Sequence, residues 1–271
     1  MKIKLDPTHI IETYPYLEVG SKTVGQNNAP EIFHRSLPIY KATYKESKAD
    51  IDLLIITSDL QGITEVNGKQ FLLGEKLPSF LKTLLEIEFS HCKKIGVVLC
   101  GDMYTSLIKR GSSGDVRKVW SEFNAHFNWV VGVAGNHDTF GNEKEKAQFE
   151  AQENIHLLHK TNVKIDGLKF GGISGIIGRP DKINRVDETD FLKSLTHLSK
   201  QDLDFILLHE TPDFPLLTEI GNETIRKHLE QLPPTQVCCG HCHWENSLVQ
   251  LPNQTQVLNV DSKVICMEII S

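Results

Sequence analysis

A layered α/β fold with mixed sheets is the class this sequence predicts, and three features carry the expectation. Short apolar runs rich in Val, Ile and Leu recur along the 271 residues, each closing on a polar turn. Helix-like stretches separate most of them, and such alternation places helices on the faces of a sheet. The C-terminal tail breaks the rhythm with strand-like segments that have no helix between them, so the sheets should not be purely parallel.

In chain order, residues 1–50 carry Pro, Gly and Asn turn signals with little periodicity. They are expected to form an N-terminal extension of short strands and loops, packed on a domain spanning 51–271. The runs 51–57, 94–100, 129–134, 205–208 and 236–239 suit strands buried on both faces, because each is short and almost continuously apolar. Helices are expected at 77–89, 114–127, 143–153, 188–200 and 222–231. The segment 163–173 reads as a hairpin turning at Asp166-Gly167, and 246–251, 255–260 and 263–270 read as the tail strands.

Composition narrows the function. With 39% hydrophobic and 24% charged residues, the chain is an ordinary globular one able to bury a sizeable core. Lys and Arg number 29 against 35 Asp and Glu, a net charge of −6, which argues against attachment to nucleic acid or membrane by bulk charge. No apolar stretch approaches the roughly 20 residues that cross a bilayer. The start, MKIKLDPTHI, lacks the apolar core of a secretory signal, so the six cysteines are expected to be reduced thiols in a cytoplasm. The twelve histidines are more telling, because imidazole both ligates metals and carries protons near neutral pH.

Position sorts those histidines. Asp59 follows the first apolar run, Asp102 the second, Asn136-His137-Asp138 the third, His209 the fourth, and His241 and His243 the fifth. Ligands of open α/β sheets bind at the carboxyl ends of strands, where loops converge. Carboxylate, amide and imidazole together make a mixed oxygen and nitrogen set suited to Mn2+, Fe, Zn2+ or Mg2+. Singly, each fragment has an ordinary explanation: Ser58-Asp59 and Gly101-Asp102 as turns or caps, His209 as a surface or satisfied core histidine. On an extended backbone His241 and His243 would face the same way and offer a ligand pair. Five such fragments, each after an apolar strand, are hard to reach by chance.

The order Asp59-Leu60-Gln61, Gly101-Asp102, Gly135-Asn136-His137-Asp138, His209, Gly240-His241-Cys242-His243 resembles the calcineurin-like metallophosphoesterase superfamily. The likeness runs over residues 51–265 and leaves the first 50 outside it. It implies two mixed β-sheets packed face to face and flanked by helices, a four-layer sandwich. It also implies a metal-dependent hydrolase of phosphate esters that uses a dinuclear centre and an activated water or hydroxide. The two divalent ions would be Mn2+ first, with Fe, Zn2+ or Mg2+ as alternatives. Asp102 would bridge both ions, Asp59 and His243 would complete the first site, and Asn136, His209 and His241 the second. His137 would protonate the leaving oxygen or stabilise its developing charge, with Asp138 orienting its ring.

One position departs from the pattern. Where the family has a His, this chain has Gln61, either a neutral oxygen ligand favouring Mn2+ or Mg2+ over Zn2+, or a group bonded to a metal-bound water. Lys109 and Arg110, before the flexible 111–114, and Arg179 with Arg185, after the glycine-rich 171–178, are candidate contacts to substrate phosphate. The expected partner is a small phosphorylated substrate. A phosphodiesterase or nuclease acting on nucleotides or short nucleic-acid ends is the alternative chemistry, and a catalytically weak interaction scaffold is the rival from another class.

Overall fold

Alternation along the central strands decides the layers. Ile55 of Leu53–Ser58 and Val97 of Ile95–Leu99 enter one apolar cluster with Leu81 and Trp120 of the helices. Their neighbours Leu54, Ile56 and Val98 enter a second cluster with Phe170, Phe205 and Leu207. Period-two side chains thus bury both faces of these strands, which is why they read as unbroken apolar runs. The structure is a computed structural model and describes residues 2–24, 29–106 and 108–270.

Two large mixed sheets face each other across the second cluster. The first has nine strands, with Ile155–Leu157, Trp129–Gly132, Ile95–Leu99 and Leu53–Ser58 as parallel neighbours. Lys263–Ile270 follows, antiparallel to Leu53–Ser58 and parallel to Ala29–Lys45. Ile3–Val24, Ile63–Val66 and Lys69–Leu72 complete that edge. The second sheet has six strands: Thr161–Ile165, Leu168–Ile173, Phe205–Leu208, Gln236–Cys239, Gln256–Asn259 and Leu248–Gln250. Helices Leu73–Glu88, Arg117–His126 and Glu143–Glu150 share the first cluster with the nine-stranded sheet, while Glu188–Ser199 and Glu223–Leu229 share a third with the six-stranded sheet. Helix, sheet, sheet and helix make four layers, and the hairpin expected at 163–173 is present.

The N-terminal segment differs from the expectation of short strands and loops. It forms two long antiparallel strands, Ile3–Val24 and Ala29–Lys45, the second wedged into the nine-stranded sheet. Pro7, Pro15, Pro30 and Pro38 lie within these strands, and the pairing shifts register between Leu5 and Ile10, Ile10 and Glu12, and Val19 and Thr23. The first two are shifts by an odd number of residues, and each swaps which side chains face inward, so no single alternation survives along the sequence. Two helices also start elsewhere than expected. Leu73–Glu88 begins before the expected 77 and carries Pro78 inside, and the Gly114–Asp115 stretch pairs with Asp138–Thr139 as a short strand instead of opening a helix.

Among the described residues no helix is long and apolar enough to cross a membrane. All six cysteines are unpaired. Tyr44 anchors the hairpin to the second sheet: it is fully buried and its ring lies 4.7 Å from that of Phe205. Tyr44→Ala is expected to lower stability by about 3 kcal/mol, the range for emptying an aromatic site in a core. A urea titration reads that loss; a change below ~1 kcal/mol would mean the hairpin is not anchored there.

Candidate metal centre

Each expected ligand lies in a loop that follows a strand. Asp59 follows Leu53–Ser58, Asp102 follows Ile95–Leu99, Asn136 follows Trp129–Gly132, His209 follows Phe205–Leu208 and His241 follows Gln236–Cys239. The first three come from the nine-stranded sheet and the last two from the six-stranded one. Asp59, Asp102 and His241 have φ of 54°, 55° and 70°, a left-handed backbone that ends each strand abruptly and turns the side chain into the gap between loops.

The loops lock together through the acids themselves. Asp138 accepts from the backbone N–H groups of Gly135, Asp102 and Met103, each at 2.8 Å. Asp102 Oδ1 accepts from His137 N at 2.8 Å, and Asp59 Oδ2 accepts from His241 N at 2.8 Å. Two glycines are demanded by this closeness. A Cβ at Gly135 would stand 2.0 Å from Asp102 Oδ1, and one at Gly240 would stand 2.3 Å from Asp59 Oδ2.

The donor set fits a divalent cation. His209 Nδ1 donates to the Cys100 carbonyl at 2.8 Å, so the Nε2 edge faces Asn136 Oδ1 at 3.2 Å and Asp102 Oδ2 at 3.4 Å. Oxygen acceptors this close around one nitrogen need a proton or a metal ion among them. His241 joins them: ligand atoms of Asp102, His209 and His241 all lie within 4.8 Å of one another. Asp102 and His209 are buried, and the His241 ring meets the His209 ring edge-on at 5.0 Å.

Electrostatics reports the same crowding. Burial would push His209 down, but Asp102 outweighs it and holds the imidazole up to about 10. Burial raises Asp59 well above the usual carboxylate range, assisted by Asp261, and raises Asp138 to about 6. His241 falls to about 4 through burial and the His209 charge, so its lone pair is free at neutral pH.

Several expected positions land differently. Asp138 does not orient the His137 ring; its carboxylate is occupied by backbone donors, and His137 Nδ1 is buried without a partner. The turn at His241 removes the extended backbone expected there, so His241 points inward while His243 is 58% exposed and lies 3.5 Å from Asp261. Gln61 donates its amide to Asp102 Oδ2 at 3.0 Å. Arg110 lines the cleft beside Asp59 and His243, whereas Lys109 is exposed and Arg179 is exposed beside Asp181. Arg185 acts on His241 through its charge and carries a buried guanidinium nitrogen without a partner.

Asp261 is a site residue that the sequence motifs do not include. It is buried, lines the same cleft and raises Asp59. Its signal was present, since it follows Gln256–Asn259 much as Asp102 follows its own strand. Asn184 lies outside the motifs too; its amide braces the Gly135 and Asp138 carbonyls at 2.7 Å.

The family model for calcineurin-like phosphoesterase matches residues 53–245, and the chain belongs to that family. It is a metallophosphoesterase, a hydrolase of phosphoric esters. Among solved structures it is similar to the protein TT1561 of Thermus thermophilus, at 16% identity and a TM-score of 0.51, covering 78% of this chain and 90% of that one. This likeness shows the fold. It is also similar to an NAD nucleotidase of Haemophilus influenzae (14% identity, TM-score 0.46) and a 5'-nucleotidase of Candida albicans (14%, 0.43). Those matches cover 79% and 80% of this chain, which spans only 45% and 46% of their length. A comparison with curated proteins returned no match.

Metal binding should release protons. A ligating His209 must give up the proton it holds to about pH 10, so raising the pH through 6, 7 and 8 should tighten metal binding, by about tenfold per unit for each proton displaced. Calorimetric titration with Mn2+ checks this; affinity independent of pH would remove His209 from the ligand set.

Proposed function

We propose that this chain hydrolyses small phosphorylated compounds with two divalent ions, Mn2+ in the first instance. The observation that carries the reading is the convergence of Asp102 Oδ2, His209 Nε2 and Asn136 Oδ1 around one position, with His241 beside them. Asn136, His209 and His241 would hold one ion, Asp59 and His243 the other, and Asp102 both. Bound there, such a pair supplies Lewis acidity toward phosphoryl oxygens and lowers the pKa of water.

The chain's own groups do the rest. The Cys100 carbonyl fixes the His209 ring, and Gln61 steers the Asp102 carboxylate. Asp102 in turn fixes the His137 backbone, which presents an imidazole able to deliver a proton to the departing oxygen. Arg185, whose charge acts on His241, would contribute a guanidinium toward a phosphoryl oxygen. In the substrate, the bond from phosphorus to the leaving oxygen breaks as a water oxygen bonds to phosphorus.

With Mn2+ the protein is expected to hydrolyse p-nitrophenyl phosphate or its bis-ester. His137→Ala should lower kcat by about 100-fold or more with metal content unchanged. No turnover with any divalent ion, across aryl monoesters, diesters, nucleotides and cyclic nucleotides, would overturn the reading. Gln61→His exchanges a neutral amide for a basic nitrogen and should tighten the weaker metal site. Identical metal titration curves would leave Gln61 as a positioning group for Asp102 only.

A further inference from the structure

We infer that Arg35 and Arg110, spanned by Glu18, form a second anion subsite for a phosphoryl group of the substrate other than the one hydrolysed; this rests on the hydrolase reading above. The metal centre opens into a cleft of about 670 Å3, a size that admits a whole small molecule. Asp59, Gln61, His241 and His243 line it together with Glu18 and Arg35 of the N-terminal hairpin. The family match begins at residue 53, so the hairpin's contribution lies outside it.

Arg110 reaches the same cleft from the loop after Asp102. Its neighbour Gly111 is close to the proton donor, since a Cβ there would stand 3.6 Å from His137 Cε1. Arg35 Nε donates to Glu18 at 2.7 Å, and Arg110 Nη1 lies 3.1 Å from the other Glu18 oxygen. Within this trio two guanidiniums share one carboxylate, while Asp59 and Asp261 line the same cleft. Both arginine side chains are about half exposed, at 52% and 55%. Guanidinium forks match phosphate oxygens in pairs, so an incoming phosphoryl group can take the donors that Glu18 now holds.

The hairpin is not free to drift from the metal loop. Leu17 pairs with Ile63, and the Tyr16 ring sits on Gly62, where a Cβ would come within 2.2 Å of it. Gly62 adjoins Gln61, so the anion subsite and the metal loop are fixed to each other across two residues.

The test compares fructose 1,6-bisphosphate with fructose 6-phosphate on the Mn2+-loaded protein. Arg35→Ala and Arg110→Ala should each lower the ratio of kcat/KM, bisphosphate over monophosphate, by about tenfold and through KM. Glu18→Gln removes the competing carboxylate and should raise the same ratio; misfolding cannot produce opposite signs. An unchanged ratio in all three variants overturns the subsite. Calorimetry with inorganic pyrophosphate separates it from the hydrolase reading. Binding weakened about tenfold in Arg35→Ala, with no ester turned over by the wild type, keeps the subsite and sinks the hydrolase. Ester hydrolysis with pyrophosphate binding equal in wild type and variants does the reverse.

Discussion

The hydrogen bond from His209 to the Cys100 carbonyl joins the two halves of the molecule at the point where its chemistry collects. His209 ends a strand of the six-stranded sheet, and Cys100 follows a strand of the nine-stranded one. For the ring to reach that carbonyl, the two sheets must pack with the carboxyl ends of these strands on the same edge. The aromatic core between them holds that arrangement, with Phe170 stacked on Phe205 at 5.6 Å and Trp129 edge-on to Phe170. A buried imidazole whose one nitrogen is committed to a backbone carbonyl presents the other in a single orientation. The candidate ligands are therefore positioned by sheet packing first and by local loop geometry second.

Crowding acids into such a place carries a cost that the structure meets in two ways. Burial raises Asp59 and Asp138, which marks the charge as hard to hold there. Asp138 is compensated by three backbone N–H groups that also tie its loop to that of Asp102. Asp102 is compensated by His209, which outweighs burial and lowers it. Asp59 has Ser58 and the His241 N–H but also faces Asp261, which adds to burial in raising it. Both Asp138 oxygens are thus committed to backbone donors, whereas Asp59 and Asp102 each give only one oxygen to a backbone N–H.

Strand ends were legible in the sequence because burial on both faces leaves unbroken apolar runs, and Asp59, Asp102, Asn136, His209 and His241 stand where such runs stop. Side-chain direction was not legible. The positive φ at His241 parts it from His243, and neither residue type nor spacing announces that turn. The role of Asp138 was hidden for a similar reason: adjacency to His137 in sequence suggests a pair, whereas the loop curls its carboxylate toward Gly135 and Met103. Asp261 obeys the same strand-end rule as the others but sits in the tail, away from the recognisable motifs.

The N-terminal hairpin shows where pattern reading fails for physical reasons. Prolines and register shifts break its alternation, yet its backbone completes the nine-stranded sheet beside Lys263–Ile270. A strand so placed covers the hydrogen-bonding edge of its neighbour, which an exposed Lys263–Ile270 would leave open to other chains. The same placement carries Tyr16, Glu18 and Arg35 to the lip of the metal cleft. Metal chemistry alone does not distinguish one phosphate ester from another, because discrimination lives in what surrounds the centre. In this chain part of that surround comes from residues before the matched segment, so the hairpin that covers a sheet edge also lines the cleft.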